Sequence, residues 1–244
     1  MNIQEYNSYG GPSRIRTNDQ GVAVPRLSHL AIGPLLIHYN KKIIDFQYII
    51  LKKIKNVLGR KKMKIKVGVS NRHIHLCKKD ADILFGNDYK FHKRNDLTQK
   101  GEYACEETVI VSTDKYEFPH VRVMGPLRDY TQVEVSRDDA SLLEINPPMR
   151  DSGDLENSEA VWITGPNGKI YKENCCILAT RHIHGNKNNL PNHNNRDIVS
   201  VIFNGKEIDN VHIKMKDSYE LEMHIDKSDA NEFGIENGDY IDLE

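Results

Sequence analysis

The sequence predicts a mainly β, internally duplicated protein with a few short helices. Two observations predict it: short β-branched or alternating runs fill residues 64–244, and one four-residue element occurs twice. Turn signals such as Pro166-Asn167-Gly168 and Phe203-Asn204-Gly205 separate the runs. This spacing is typical of a barrel or a sandwich.

The predicted strands follow one another from Lys64 onward. They are centred on residues 65–69, 108–111, 121–123, 132–135, 161–163, 177–178, 198–203 and 211–213. Between them, short helices are predicted for residues 78–85, 137–143 and 227–233.

Residues 1–62 differ in composition from the rest and are expected to be an N-terminal extension. Gly10-Gly11-Pro12 and scattered Arg and Asn precede a Lys- and Ile-rich stretch, and the composition changes near Met63. We expect the extension to be disordered, or to lie before a true start at Met63. The alternative is an amphipathic targeting helix, because apolar residues recur at helical spacing at Ile43, Phe46, Ile50, Ile54 and Val57.

Charge and composition exclude several classes of partner. Lys plus Arg total 34 against 35 Asp plus Glu, so a formal net charge of -1 gives no field that would recruit nucleic acid or an anionic membrane. No apolar run approaches the roughly 20 residues that cross a bilayer. Cys175 and Cys176 are adjacent and no cysteine pair indicates a disulfide framework, which favours a reducing cytoplasm.

The repeated element places two histidines on one side of a strand. Arg-His-Ile-His occurs with His73 and His75, and again with His182 and His184. Because residues i and i+2 of a strand point to the same side, each pair can present two imidazoles to one metal ion. A single such pair is more often structural than metal-binding, but two copies favour metal.

A second echo supplies a third ligand for each copy. Glu134, before Ser136-Arg137-Asp138-Asp139-Ala140, aligns with His224, before Asp226-Lys227-Ser228-Asp229-Ala230. The offset is 90 residues here (224 − 134) and 109 at the histidine pairs (182 − 73), which predicts a 19-residue extra loop in the first copy. Three protein ligands are typical of catalytic zinc, with iron, cobalt or manganese as alternatives.

Arg128 is the candidate anion-binding residue. Gly125-Pro126 is expected to end a strand and to put Arg128 on a turn, six residues before Glu134. A guanidinium there can hold phosphate bidentately beside a metal ion. The equal alternative is a solvent-exposed turn arginine paired with Asp129.

Several longer motifs, in order, closely resemble the phosphate propanoyltransferases of the PduL type. They are VGVSNRHIHL, LTQKGEYACEETV, VRVMGPLRDYTQVEVSR, DSGDL, RHIH and MHID, and the likeness covers Lys64 to Glu244. One departure follows the second histidine pair, where residues 185–196 replace a more helical segment of the family.

The resemblance implies a fold, a reaction and roles for residues. It implies two β-barrel domains related by duplication, here residues 63–179 and 180–244, with strand 64–70 free to pair with the second. It implies reversible transfer of a propanoyl or acetyl group between coenzyme A and phosphate, giving acyl phosphate, at two zinc ions. His73, His75 and Glu134 would hold one ion, His182, His184 and His224 the other, and Arg128 the phosphate.

Two rival functions and several partners stay open. Paired metals also suit a hydrolase of thioesters or phosphoesters, and a non-catalytic, zinc-stapled microcompartment component is the second rival. The partners implied are acyl-coenzyme A, phosphate and acyl phosphate, with a homodimer as a further option. Cytoplasm is the expected location, and a bacterial microcompartment, with its lumen proteins as partners, is the alternative.

Overall fold

The structure, a computed structural model, describes residues 62–243. The predictions of a disordered extension, a later start and an amphipathic helix for residues 1–61 lie outside the described residues. Among residues 62–243, no helix combines the length and the apolar character that a bilayer crossing requires.

The described residues form the mainly β fold that the sequence predicts. The strands are β1 Met63–Ser70, β2 His73–Cys77, β3 Lys93–Asp96, β4 Tyr103–Ser112, β5 Glu117–Arg128, β6 Gln132–Val135, β7 Met149–Arg150, β8 Glu159–Thr164, β9 Lys169–Ala179, β10 His182–Gly185, β11 Ile198–Phe203, β12 Lys206–Met215, β13 Glu222–Asp226 and β14 Tyr240–Leu243. The helices are α1 Lys78–Phe85, α2 Arg137–Leu143 and α3 Lys227–Phe233, with the bounds predicted for them.

Hydrogen bonding closes the strands into two rings. The first ring contains β2 and the first histidine pair, and the second ring contains β10 and the second pair. The second ring is a closed barrel in the order β1-β13-β10-β12-β11-β14. In the first, β5, β2, β6 and β9 follow β4 in order, and β8 pairs with both β4 and β9. Strands β3 and β7 extend this first sheet at its ends.

The two rings share one topology, as an internal duplication requires. Strand β2 runs parallel to β5 and antiparallel to β6, and β10 has the same relation to β12 and β13. Likewise β9 lies parallel to β6, and β1 parallel to β13. The second ring therefore takes β1 as its sixth strand from the other end of the described chain.

The additional residues of the first copy form regular structure, so the prediction of an extra loop there was wrong. Residues 78–102, which precede β4, contain α1 and β3, whereas residues 186–197, which precede β11, contain neither a helix nor a strand. Helix α1 packs against β2 and β9 because its Ala81, Leu84 and Phe85 are buried.

Each ring encloses its own apolar core, built by the alternation of residues along its strands. The first core includes the fully buried Ile74, Leu76, Val123, Val133 and Ile163. The second includes the fully buried Ile65, Val67, Ile183, Ile213 and Met223. Residues between these positions on the same strands point away from the cores.

A buried ion pair fastens α1 to the first ring. Asp80 in the first turn of α1 lies with its Oδ2 atom 2.7 Å from Lys172 Nζ on β9, although the contact lacks hydrogen-bond geometry. Burial opposes ionisation of Asp80, but Lys172 and Thr131 outweigh it and lower the pKa of the carboxyl below 3.8.

We expect Asp80→Asn to lower the free energy of unfolding by about 2 kcal/mol at pH 7, measured by urea denaturation. This is less than the roughly 3–5 kcal/mol of a fully buried pair, because Lys172 keeps contact with water. A carboxyl with a lowered folded pKa stabilises above its unfolded pKa, so the difference should shrink as the pH falls below about 4.

The matched control is Asp114→Asn, which removes an exposed partner of Lys115 and should leave stability unchanged. An Asp80→Asn variant as stable as the wild type at pH 7 would contradict a stabilising ion pair.

Candidate active site

The first histidine pair and Glu134 form a compact group of ligand atoms. His73 and His75 lie on the side of β2 that faces away from Ile74, and Glu134 of β6 is the direct antiparallel neighbour of His73. His73 Nε2 lies 3.5 Å from Glu134 Oε2, and His75 Nε2 lies 3.9 Å from Glu134 Oε1. One ligand atom from each residue falls within 4.8 Å of the other two, which is close enough for one ion.

The second histidine pair and His224 form the corresponding group on β10 and β13. His224 is the direct antiparallel neighbour of His182, as Glu134 is of His73. The ring centroids of the three histidines are 4.7–5.2 Å apart, and His182 stacks on His224. This group is looser, since among the described residues only the first triad brings three ligand atoms within 4.8 Å.

Backbone carbonyls orient the first histidine of each pair in the same way. His73 Nδ1 donates to the carbonyl oxygen of Asn71 at 2.9 Å, and His182 Nδ1 donates to that of Thr180 at 2.8 Å. A carbonyl oxygen can only accept, so the proton is on Nδ1 and Nε2 keeps its lone pair. This outer contact is typical of histidines that bind metal.

Burial keeps the imidazoles neutral, which suits metal binding. Burial lowers the pKa of His75 and of His182 well below 6.5, and it lowers the pKa of His184 to about 3. The Nδ1 atoms of His75 and His184 are buried without a hydrogen-bond partner in the structure. Neutral imidazole with an unsatisfied nitrogen is the form that coordinates a metal ion, so the residues fit such a group.

The arginine that precedes each histidine pair contacts a helix of the same copy, α2 in the first and α3 in the second. Arg72 contacts Asp139 of α2, and Arg181 Nε donates to Asp229 of α3 at 2.7 Å. These arginines are therefore structural pairs, as their position on the opposite strand face predicts. Each contact holds a histidine strand beside the helix that follows the third residue of the triad.

A hydrogen-bond network surrounds Glu134. Gln132 Nε2 donates to Glu134 Oε1 at 2.5 Å and to Ser152 Oγ at 2.8 Å. Arg128 Nη1 donates to the same Ser152 oxygen at 2.9 Å. Arg128 is the last residue of β5, so the prediction that Gly125-Pro126 ends a strand and puts Arg128 on a turn was wrong. Its side chain is 23% exposed and lies 3.5 Å from Glu102, which differs from the alternative of a solvent-exposed arginine paired with Asp129.

A lysine on β12 adds a second cation beside the histidines. Lys214 is the strand neighbour of His184, and its Nζ lies 3.5 Å from Asp151 Oδ1. Burial lowers the pKa of the Lys214 ammonium, and Asp151 opposes that shift. Besides burial, Arg128 and Lys214 both lower the pKa of His184, so both cations lie near the second triad.

Glu222 is a further buried carboxylate at the second triad. Its Oε1 accepts from Thr98 Oγ1 at 2.8 Å, and its Oε2 lies 2.9 Å from His224 Nε2, although without hydrogen-bond geometry. Burial opposes ionisation of Glu222, but the contacts with His224 and Thr98 outweigh it and lower the pKa of the carboxyl. Since Thr98 precedes β4, a residue of the first copy contacts the carboxylate that lies beside the second triad.

Four residues of the site had no predicted role, namely Gln132, Ser152, Lys214 and Glu222, yet one signal in the sequence could have found two of them. The 90-residue offset that relates Glu134 to His224 also relates Gln132 to Glu222 and Met124 to Lys214. Extending that alignment from β5 to β12 and from β6 to β13 identifies a lysine and a carboxylate in the second copy where the first copy has Met124 and Gln132. Gln132 and Ser152 carry no comparable spacing signal, although Ser152 lies in the DSGDL motif.

Both triads border the same open space. A cleft of about 910 Å³ is lined by all six triad residues and by Arg128, Ser152 and Lys214. A small cavity of about 20 Å³ lies against both triads and is lined by matching residues of the two copies, such as Val135 with Ile225 and Ser136 with Asp226. The two triads therefore face one common site.

The other described cysteines and histidines belong to neither triad. Burial raises the pKa of the Cys105 thiol to about 11 and that of Cys175 to about 12, so neither is a ready nucleophile. His92 is exposed and contacts Glu107, as expected of a surface histidine. His212 is a half-buried residue of β12 beside Asp151.

Comparison with known proteins decides the family. The phosphate propanoyltransferase family profile matches residues 66–236. A phosphate propanoyltransferase of Thermotoga maritima is 42% identical over 200 residues, which cover 79% of this chain and 95% of that protein. Those of Sebaldella termitidis and Rhodopseudomonas palustris are 39% identical over 201 residues (80% and 95% covered) and 40% over 182 residues (72% and 80%). The chain belongs to the phosphate propanoyltransferase family.

Membership of the phosphate propanoyltransferase family confirms the resemblance drawn from the motifs. The matched residues 66–236 include both triads, Arg128, Ser152 and Lys214. The relatives are named phosphate propanoyltransferases, a name that describes the transfer of a propanoyl group in a reaction with phosphate.

Proposed function

We propose that this protein transfers a short acyl group, propanoyl or acetyl, reversibly between coenzyme A and inorganic phosphate, at a site that holds two zinc ions. The observation that supports the proposal is the convergence of two ligand triads and two cations on one cleft. The activity for which the relatives are named supports the acyl and phosphate parts of the reaction.

In this proposal, each triad holds one ion. His73, His75 and Glu134 form the first set, and His182, His184 and His224 the second, each with three protein ligands and therefore room for substrate. When bound, zinc supplies a Lewis acid that polarises the thioester carbonyl and favours the thiolate of coenzyme A. Gln132 and the carbonyls of Asn71 and Thr180 keep ligand side chains oriented.

Arg128 and Lys214 are the proposed phosphate-binding cations. The planar guanidinium of Arg128 is held by Ser152 and Tyr130 but retains donors that can reach an anion in the cleft. Lys214 approaches from the other ring and adds a compact positive charge. Together they place a phosphate oxygen beside the thioester carbonyl and offset its charge.

The proposed transfer is a direct displacement. A phosphate oxygen attacks the thioester carbonyl carbon, the new carbon–oxygen bond forms, and the carbon–sulfur bond breaks to release coenzyme A as a thiolate. In the reverse direction the thiolate attacks the acyl phosphate. Three of the four cysteines, Cys105, Cys175 and Cys176, are buried with raised pKa values, so these thiols are poorly suited to form an acyl-enzyme.

The wall of the cleft fits the phosphate groups of coenzyme A. Its volume lies at the upper end of the range typical of small-molecule sites, about 300–1,000 Å³. Away from the triads, positively charged side chains line the cleft at Lys66, Arg94, Arg122 and Lys227. These charges can attract and hold an anionic nucleotide locally, although the chain has no net positive charge.

The reaction itself can be tested by following release of free coenzyme A thiol from propanoyl- and acetyl-coenzyme A with the full chain. We expect release that requires phosphate, stops on chelation and resumes when zinc is added. Release without phosphate would point to a hydrolase. No release from zinc-loaded protein would point to the structural, zinc-stapled module.

Glu134→Gln tests the first metal site. An amide of the same size is a poor zinc ligand, so we expect bound zinc to fall from about two to about one per chain after dialysis against a weak chelator. Glu107→Gln is the matched control, because Glu107 contacts His92 outside the cleft. Equal zinc content in the two variants would exclude Glu134 as a ligand.

Arg128→Lys tests the phosphate contact, since lysine keeps the charge but loses the planar fork. We expect the KM for phosphate to rise by about tenfold or more, with the KM for propanoyl-coenzyme A changed less than about twofold. Arg150→Lys, at an exposed pair with Asp154, serves as the control in the same assay. A phosphate KM equal to that of wild type would remove Arg128 from this role.

A further inference from the structure

The carboxylate of Asp151 contacts three residues of the second half of the site. Its Oδ1 atom accepts from Thr180 Oγ1 at 2.5 Å and lies 3.5 Å from Lys214 Nζ. Its Oδ2 atom lies 3.2 Å from His212 Nδ1. Asp151 follows β7 of the first ring, so these contacts link the first ring to β12 and to the residues that lead into β10.

Thr180 connects Asp151 to the second triad. Its hydroxyl donates to Asp151, while its backbone carbonyl accepts from His182 Nδ1 at 2.8 Å. The backbone amide of Thr180 donates to the carbonyl of Arg150 at 3.0 Å, which fixes the same two segments together. The position of Asp151 is therefore set by the chain that orients His182.

Ser152, the next residue, contacts residues of the first half of the site. Its hydroxyl oxygen accepts from Arg128 and Gln132 and lies 3.4 Å from Glu134 Oε1. Two consecutive side chains thus reach the two halves of the site, Ser152 the first and Asp151 the second. The dipeptide Asp151-Ser152 therefore contacts both cations: Ser152 contacts Arg128, and Asp151 contacts Lys214.

The ammonium of Lys214 needs a fixed acidic partner to stay in one position. A lysine has a flexible four-carbon stem, and its ammonium can adopt many positions unless a fixed acceptor holds it. Asp151, itself held by Thr180, provides a fixed acceptor, and the 3.5 Å contact leaves ammonium donors free for a second anion in the cleft.

We propose that Asp151 is a positioning residue. It holds the ammonium of Lys214 where that ammonium can bind the phosphate substrate, beside the second triad. The inference rests on the proposed function, because phosphate is the proposed ligand of Lys214. Asp151 acts through Lys214 and has no contact of its own with the reacting atoms.

Asp151→Asn in the full chain is the first test, because the amide keeps the shape but not the charge. At saturating propanoyl-coenzyme A, we expect the KM for phosphate to rise about tenfold, the loss expected of one misplaced charge-assisted contact. The KM for propanoyl-coenzyme A should stay within about twofold. Asp154→Asn, three residues on at an exposed pair with Arg150, is the matched control.

A double-mutant cycle separates positioning from general structural damage. If Asp151 acts through Lys214, then Asp151→Asn should change the phosphate KM by less than about twofold when it is added to Lys214→Gln. Effects that multiply in the double variant would overturn the proposal. Thr180→Val removes the hydroxyl bond to Asp151 but keeps the carbonyl that orients His182, and it should raise the phosphate KM by about threefold.

The failure of this inference can be told from failure of the proposed function. Wild-type protein without phosphate-dependent release of coenzyme A would overturn both. Active wild-type protein whose Asp151→Asn and Thr180→Val variants keep the wild-type phosphate KM would overturn only the role of Asp151.

Discussion

The alternation of side chains on β2 and β10 is the constraint on which the rest of this structure depends. Ile74 and Leu76 fill the first core and Ile183 fills the second, so the histidines between them must point out of their rings. A shift of either strand by one residue would put imidazoles into an apolar core and isoleucines into the cleft. The packing of two cores therefore fixes the direction of four candidate metal ligands.

Strand pairing adds the third residue to each group. In antiparallel register, directly opposed side chains lie on the same face, and this register opposes Glu134 to His73 and His224 to His182. The same frame holds different chemistry in the two copies, since Gln132 and Met124 of the first correspond to Glu222 and Lys214 of the second. Duplication thus supplies symmetric geometry, and substitution makes the site asymmetric, with one carboxylate-containing triad and one of three histidines.

The electrostatic character of the cleft comes from burial and from a few fixed cations. Burial keeps His75, His182 and His184 neutral, whereas Arg128 and Lys214 lie close by, each with an acceptor that holds it. Neutral imidazoles and retained cations are what a site for metal and phosphate requires. The residues that hold the cations, Ser152 and Asp151, are adjacent in the chain, so one short segment controls both sides of the cleft.

The sequence by itself determined the β-rich class and the three short helices, and it indicated the duplication and the six candidate ligands that the structure brings into two triads. These features are local or periodic: a strand period of two, a repeated motif, and one constant offset between copies. Only the tertiary structure decided which ring β1 completes, that β3 follows α1, and that Asp151 and Ser152 join the site. The physical reason is that these features depend on contacts between segments up to 180 residues apart (243 − 63), such as Met63 with Leu243, and no short-range pattern encodes which segments meet.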